Sequence, residues 1–467
     1  MTAPRRLAAG VALACATLSV ACTHPPNHAA PGISDPGVRG GAPGAGGPLP
    51  GLTADELAFF NDGRARFLEI ESVTGGTNNG LGPRFNSNQC ASCHSQPDIG
   101  GTSPPNNPQI AVASLKGAKN SIPWFIVANG PVREARFKTN PDGTPNGGVR
   151  ALFVVTGRSD AAGCNIAQPD FLPAGEPLTG RGGNPNIIFR IPTPVFGTGL
   201  IEAIPDAAIL ANASANASTK EELGIHGHPN AHISGTANTS ANDGTVTRFG
   251  WKAQNKSLLM FSGEAYNVEM GVTNLLFPQE RDETPGCVFN PTPEDTLNLS
   301  ASPATAVVSD IEAFGAFMRF LAPPAPAPDT PSIVNGRALF ETAGCAACHT
   351  PTLRTAKRVA SGSSKVPSAA LSDQPVHLYS DLLLHHMGRG LDDGIVQGQA
   401  GSDEFRTAPL WGLGQRVFLL HDGRTTDLME AIEAHRSRGS EASEVVTRFN
   451  RLREAEQQDI LNFLRSL

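Results

Sequence analysis

Tyrosine occurs twice and tryptophan three times in 467 residues; aromatic residues make up 6% and charged residues 17% of the chain. Such sparing use of charge excludes a coiled coil or a simple helical bundle, whose exposed faces are densely charged. No long run of Lys or Arg occurs and the formal net charge is −7, which argues against nucleic acid as a partner. After the first 21 residues no stretch of 18 or more apolar residues appears, so no internal segment reads as a membrane span. Glycine (50) and proline (39) are abundant, so the expectation is short helices joined by long ordered loops. The length fits two or three domains with ample room for buried cores.

The amino terminus has the pattern of an export signal. Arg5 and Arg6 precede an apolar run from Leu7 to Ala21 that ends in small residues. This predicts a signal peptide over residues 1–21 and a periplasmic location. Cys22, directly after Ala21, is a candidate lipid anchor, although Ser19 stands where a branched aliphatic residue is usual. Residues 22–50 are rich in Pro and Gly and are expected to form a flexible tether.

Of 8 cysteines, Cys15 and Cys22 lie in this leader region. Four fall in two copies of one pattern, Cys90-Ala91-Ser92-Cys93-His94 and Cys345-Ala346-Ala347-Cys348-His349. C-x-x-C-H attaches c-type haem: the two thiols add to the vinyl groups from one side of a helical turn, and the adjacent histidine is held beneath the iron. The alternatives are a thioredoxin-like redox pair, which has no need of the histidine, and a zinc site, which needs a ligand cluster of other spacing. Two copies in an exported chain favour two covalently bound c-type haems, with His94 and His349 as proximal ligands. Cys164 and Cys287 remain, as a structural disulfide or a reactive thiol pair.

The segments around the motifs repeat one another. Asn61-Asp62-Gly63-Arg64-Ala65-Arg66-Phe67 precedes the first, and Val334-Asn335-Gly336-Arg337-Ala338-Leu339-Phe340 the second. Each unit closes on an amphipathic pattern, from Ser309 to Leu321 and from Glu454 to Leu467. A second echo pairs Arg190-Ile191-Pro192-Thr193-Pro194-Val195-Phe196-Gly197 with Arg406-Thr407-Ala408-Pro409-Leu410-Trp411-Gly412. The expected fold is mainly α: two cytochrome-c-like helical domains, residues 51–321 and 332–467, with long loops and a few small strands in the first. Residues 322–331 form a stiff Pro-rich linker between them.

Phe85-Asn86-Ser87-Asn88-Gln89-Cys90, Gly199-Leu200-Ile201-Glu202-Ala203-Ile204-Pro205-Asp206, Phe249-Gly250-Trp251-Lys252-Ala253-Gln254 and the His421-Asp422-Gly423-Arg424 helix start carry a wider resemblance. The chain resembles the di-haem oxidoreductase family, also described as thiol-oxidoreductase-like and related to bacterial di-haem cytochrome c peroxidases. The resemblance covers residues 51–467 and implies a haem 1 where peroxide reacts and a haem 2 that relays electrons from a small cytochrome c or cupredoxin. Its other members include the enzyme that matures a tryptophan-derived cofactor. By this resemblance Glu269 matches the peroxidase glutamate over the reactive iron, and Trp251 falls near the tryptophan between the haems. The glutamine that accompanies that glutamate has no match; Phe261 stands near its place. A methionine follows the HDG motif by 14 residues in the peroxidases; here that position is His435. Leu428, Ile432 and His435 share one helical face, so His435 would point to the core as the sixth ligand of haem 2, and a histidine there would lower the reduction potential. Met387 is the rival, and a histidine at the edge of that face the plainer alternative.

His421 and residues Thr407 to Trp411 are expected to brace the second haem pocket. His226, His228 and His232 are candidates for a labile ligand at haem 1, or surface histidines. Met270 is assigned to packing. A bridging calcium occurs in relatives, but the side chains near Arg416 and Phe418 give it no particular support. The functional expectation is hydrogen peroxide reduction at haem 1. A pure electron carrier, or an oxidase acting on an organic or protein substrate, are the alternatives.

Overall fold

The computed structural model describes residues 32–171, 186–231, 246–360 and 366–467. The signal peptide over 1–21, Cys22 and His232 lie outside the described residues. The first unit runs α1 (Ala54–Phe67), β1 (Arg84–Phe85), α2 (Cys90–Cys93), α3 (Gln109–Ala113), β2 (Glu134–Phe137), β3 (Val149–Arg150), β4 (Phe153–Val154) and β5 (Ile187–Arg190). It continues through α4 (Thr198–Glu202), α5 (Asp206–Ser214), α6 (Ala217–Leu223), α7 (Leu258–Met270) and α8 (Asp310–Phe320). The second unit runs α9 (Pro331–Ala343), β6 (Leu353–Arg354), β7 (Pro375–Val376), β8 (Leu384–His386), β9 (Glu404–Arg406), α10 (Leu428–Ala434), α11 (Ser443–Asn450) and α12 (Glu454–Ser466). The protein is mainly α with small antiparallel sheets, the largest of order β3-β2-β5.

The sequence repeat becomes a structural one. Thr53 and Thr330 cap α1 and α9 by accepting backbone N–H bonds from Glu56 and Ile333. Helix α1 packs on α8, and α9 packs on α12. Gly63 and Gly336, one turn before the ends of the echoed segments, mark the two crossings. A Cβ on Gly63 would lie 2.1 Å from the Ala313 carbonyl oxygen, and one on Gly336 1.9 Å from that of Asp459. Only hydrogen fits there. Gly336→Ala is therefore expected to destabilise the fold by roughly 2–3 kcal/mol, the cost of overpacking a crossing. Thermal unfolding of the haem-loaded protein checks this, and an unchanged midpoint would mean the crossing is loose.

The second echo has the same physical content. Gly197 and Gly412 have φ of +64° and +73° and open the short turns Thr198–Glu202 and Leu413–Gln415. Two residues on, a Cβ on Gly199 would meet the Arg319 carbonyl at 1.9 Å, and one on Gly414 that of Arg465 at 2.2 Å. Each turn thus lies against the end of its unit's closing helix.

Two expectations are corrected. Residues 32–50 are not a free tether. Ile33 and Leu49 are buried, Asp35 pairs with the buried Arg465 at 2.6 Å, and Leu49 N–H donates to the Phe320 carbonyl at 2.7 Å. The Gly/Pro-rich backbone finds partners in the equally Pro-rich linker, where Ala322 and Ala325 donate to the Gly47 and Gly44 carbonyls. A segment that reads as disordered by composition is thereby laid down as a strap. The linker does not separate two cores either, because Leu371, Leu378, Leu382 and Trp411 pack into the same cluster as Phe67, Phe314 and Phe317. A second, smaller cluster surrounds Phe340, Phe449 and Phe463.

Cys164 and Cys287 are joined in a disulfide across 123 residues, tying the stretch after β4 to the loop that follows α7.

Candidate functional site

Each C-x-x-C-H motif opens on its own cavity. The first, of about 160 Å³, is lined by Cys90, Cys93, His94, Glu134, Trp251 and Glu269, among others. The second, of about 230 Å³, is lined by Cys345, Cys348, His349, Met387, Trp251 and His435, among others. The histidines are held alike. His94 Nδ1 bonds the Gly101 carbonyl at 3.0 Å, and His349 Nδ1 bonds the Tyr379 carbonyl at 3.0 Å. Nδ1 is the donor in such a bond, so Nε2 is the nitrogen left to a metal. Burial pushes both imidazoles down to about 4, keeping them neutral as ligation requires. Phe67 and Phe340, which end the two echoed segments, set their rings 6.1 and 6.3 Å from the respective histidines.

His435 shares these properties. It follows α10, lines the second cavity, bonds the Ala431 carbonyl through Nδ1 at 2.7 Å, and is held below its ordinary value by burial. Met387 lines the same cavity. The remaining histidines differ in kind. His385 lies between Asp381 and Glu441 at 3.0 and 2.7 Å and, against the opposing effect of burial, is driven well above its ordinary value by Cys348 and Asp381. His228 bonds Glu404 at 2.6 Å, and His226 is exposed. Neither lines the first cavity, which favours the surface alternative over a labile ligand: their loop is pinned to β8 of the second unit by the His228–Leu384 bridge. His421 stacks on Phe405, ring centroids 4.4 Å apart, and lines the second cavity together with Thr407.

Trp251 and Ile191 line both cavities. Trp251 Nε1 donates to the Ile191 carbonyl at 2.9 Å, Ile191 N–H donates to the His421 carbonyl at 2.8 Å, and Arg406 N–H donates to the Trp251 carbonyl at 2.9 Å. The junction is locked by Lys252, fully buried, whose ammonium donates to the Gly401, Ser402 and Glu404 carbonyls at 2.8 to 3.0 Å. It also lies 3.3 Å from Asp393, which itself pairs with Arg190 at 2.7 Å.

The first cavity carries the ionisable groups. Glu269, near the end of α7, accepts from Asn86 Nδ2 at 2.9 Å and is raised to about 8, first by burial and then by Glu134. Phe261 lines this cavity, as do Arg190 and Arg136. The second cavity holds Arg406 and Arg416, both buried, without a carboxylate in ion-pair contact among the described residues. Their charge is met by carbonyls, those of Gly250 for Arg406 and Pro409 for Arg416, and burial lowers both to about 10. Buried cations without a counter-anion call for an anionic occupant.

A family model described as "Di-haem oxidoreductase, putative peroxidase" matches residues 184–467. The chain belongs to the di-haem oxidoreductase family. Among solved structures, the diheme peroxidase BthA from Burkholderia thailandensis is 17% identical, covering 47% of this chain and 65% of its own, with a TM-score of 0.28. Hydrazine synthase from Kuenenia stuttgartiensis is 18% identical, covering 39% of this chain and 59% of its own, with a TM-score of 0.22. A MauG-like protein associated with microbial copper homeostasis is 15% identical, covering 51% of this chain and 79% of its own, with a TM-score of 0.26. The di-haem oxidoreductase thus spans just under two thirds of the length of the first of these and less of the second. No curated protein matches it.

The family is di-haem, and the site fits two haems. Two neutral histidines present Nε2 beside paired thiols, and an apolar cavity lies over each. Arg406 and Arg416 supply cations suited to carboxylates such as haem propionates. The echo had set Arg190 beside Arg406 without assigning either; the fold puts one at each cavity. Glu134 carried no sequence signal, and Lys252 stood inside a segment of the resemblance without an assigned role, since each meets its partners only across the fold.

Proposed function

We propose that this di-haem oxidoreductase reduces hydrogen peroxide at the first cavity, with electrons entering at the second from a small cytochrome or cupredoxin in the periplasm. Each half is read as a cytochrome-c-like unit, its haem joined by thioether bonds to Cys90 and Cys93 or to Cys345 and Cys348. His94 and His349 would be the proximal ligands and His435 the sixth ligand at the second site. The haems supply the redox equivalents and the site of O–O cleavage. Glu269 supplies the proton chemistry, taking a proton from the near peroxide oxygen and returning one to the leaving oxygen. Phe261 and the buried wall around it exclude water, which keeps that proton from exchanging with solvent. Trp251, between the cavities, is the side chain through which the electron path would run.

The observation that carries this reading is the asymmetry of the two cavities around one shared tryptophan. The second is lined by two histidines that burial keeps neutral, His349 and His435, which suits a closed electron-transfer iron. The first has one histidine and, among the described residues, no second imidazole, but a half-buried carboxyl group. Peroxide titration followed by optical and EPR spectroscopy tests it. One high-spin ferric signal that responds to peroxide is expected; two low-spin signals without a response would identify an electron carrier. Turnover of an organic or protein substrate, with peroxide alone unreacted, would identify an oxidase.

His435→Ala is expected to turn the low-spin spectrum of the second site high-spin while leaving its haem attached. An unaltered spectrum would hand the role to Met387.

A further inference from the structure

Glu269 is not alone in the first cavity. Its carboxyl group hydrogen-bonds that of Glu134, which extends from β2, a strand outside the family-matched region. Two carboxylates in hydrogen-bond contact cannot both hold a negative charge at small cost, so the contact requires one proton between them. The surroundings decide where it stays. Arg136, two residues along β2, ion-pairs with Glu134 and anchors its own guanidinium on the Gly147 carbonyl at 2.7 Å. Arg190 faces Glu134 across the β2–β5 ladder. Glu269 has the Asn86 amide and, at longer range, Arg281. Cys93 also senses the charge of Glu269, and Arg136 senses Glu264 and Glu269 as well as Glu134. The cations favour charge on Glu134 and leave the proton with Glu269.

We propose that Glu134 is a positioning residue that forms, with Glu269, a single-proton carboxyl pair serving as the acid–base unit of the first cavity. This rests on the peroxide reading for its substrate but not for its existence. A lone carboxyl group is either a base or an acid at a given moment; the pair is both. A proton leaving the near peroxide oxygen enters the pair as its existing proton leaves to the far oxygen. The O–O bond breaks with its electron pair going to the far oxygen, which departs as water. The second oxygen atom leaves as water after two electrons from the donor protein and two protons from solvent. The pair ends with the one proton it began with.

Infrared spectroscopy of the haem-loaded protein across pH, with peroxide consumption measured in parallel, tests this. The wild type is expected to show a protonated-carboxyl band at pH 7 that Glu269→Gln removes. Glu134→Gln should lower the pH at which the band is lost by at least about one unit, because the neighbouring charge is gone. The alkaline limb of the peroxide profile should move with it, with about a twofold lower rate at pH 7 and about a tenfold lower rate well above pH 8, where one unit is one decade in the protonated fraction. Glu134→Asp, which keeps the charge, should return the midpoint towards the wild type. An unmoved midpoint in Glu134→Gln, with both haems loaded, overturns the pair. If that variant fails to load haem, a wild type without a band that Glu269→Gln removes overturns it equally. Band shifts without peroxide consumption by the wild type would keep the pair and remove the peroxide reading.

Discussion

Replacement of Glu269 by glutamine is expected to slow peroxide consumption by about 10²–10⁴-fold, the usual contribution of a positioned acid–base group, with both haems still attached. Glutamine keeps the size of the side chain and its bond to Asn86 but neither gives nor takes a proton. The pH dependence has a definite sign. Burial and Glu134 raise Glu269 to about 8, so its acid form prevails at neutral pH and is lost above it. The wild-type rate should therefore fall on the alkaline side near that value, and the residual rate of Glu269→Gln should not show the same limb. Stopped-flow measurement across pH checks both. Unchanged turnover in the variant would remove Glu269 from the mechanism.

The Cys164–Cys287 bridge carries the largest expected effect on stability. It closes 123 residues, and cross-linking a loop of that length stabilises by about 4–5 kcal/mol in the chain-entropy model. Cys164→Ala/Cys287→Ala is expected to lower the denaturation midpoint accordingly, and reduction of the wild type should do the same. The bridged loop includes β5 and α7, and β2 pairs with β5. Loss of the bridge should therefore loosen the first cavity, which β2 and α7 line through Glu134 and Glu269, before the second. Denaturant titration with the two haem spectra followed separately distinguishes this from uniform loss. Free, alkylatable thiols at both positions in the untreated protein would refute the bridge.

The two haem motifs and the duplication were legible because they are local. C-x-x-C-H acts within one helical turn, and the N-x-G-R-A-x-F echo marks a crossing whose glycine must be bare and whose phenylalanine must reach the histidine. That His435 would turn to the core and line the second cavity was legible from helical spacing joined to a family resemblance. The strap over residues 32–50 was misread because composition reports what a segment cannot do alone, and its partners lie some 280 residues away in the linker. For His226 and His228 the fold decided between the two alternatives, a labile ligand and a surface histidine, in favour of the second. Their loop precedes Trp251 in sequence, yet a bridge to Leu384 draws it to the second unit.

From its residues alone, this chain determined two C-x-x-C-H turns, each between an opening and a closing helix, and which two histidines would line the cavities there. Only the tertiary structure decided that Ile191 joins Trp251 at both cavities, that Arg406 and Arg416 stand buried without a carboxylate in ion-pair contact among the described residues, and that Glu134 meets Glu269. A covalent anchor is specified by neighbours in sequence. Charge balance and proton sharing depend on distances across a folded core, which bring together strands and helices that the chain itself keeps far apart.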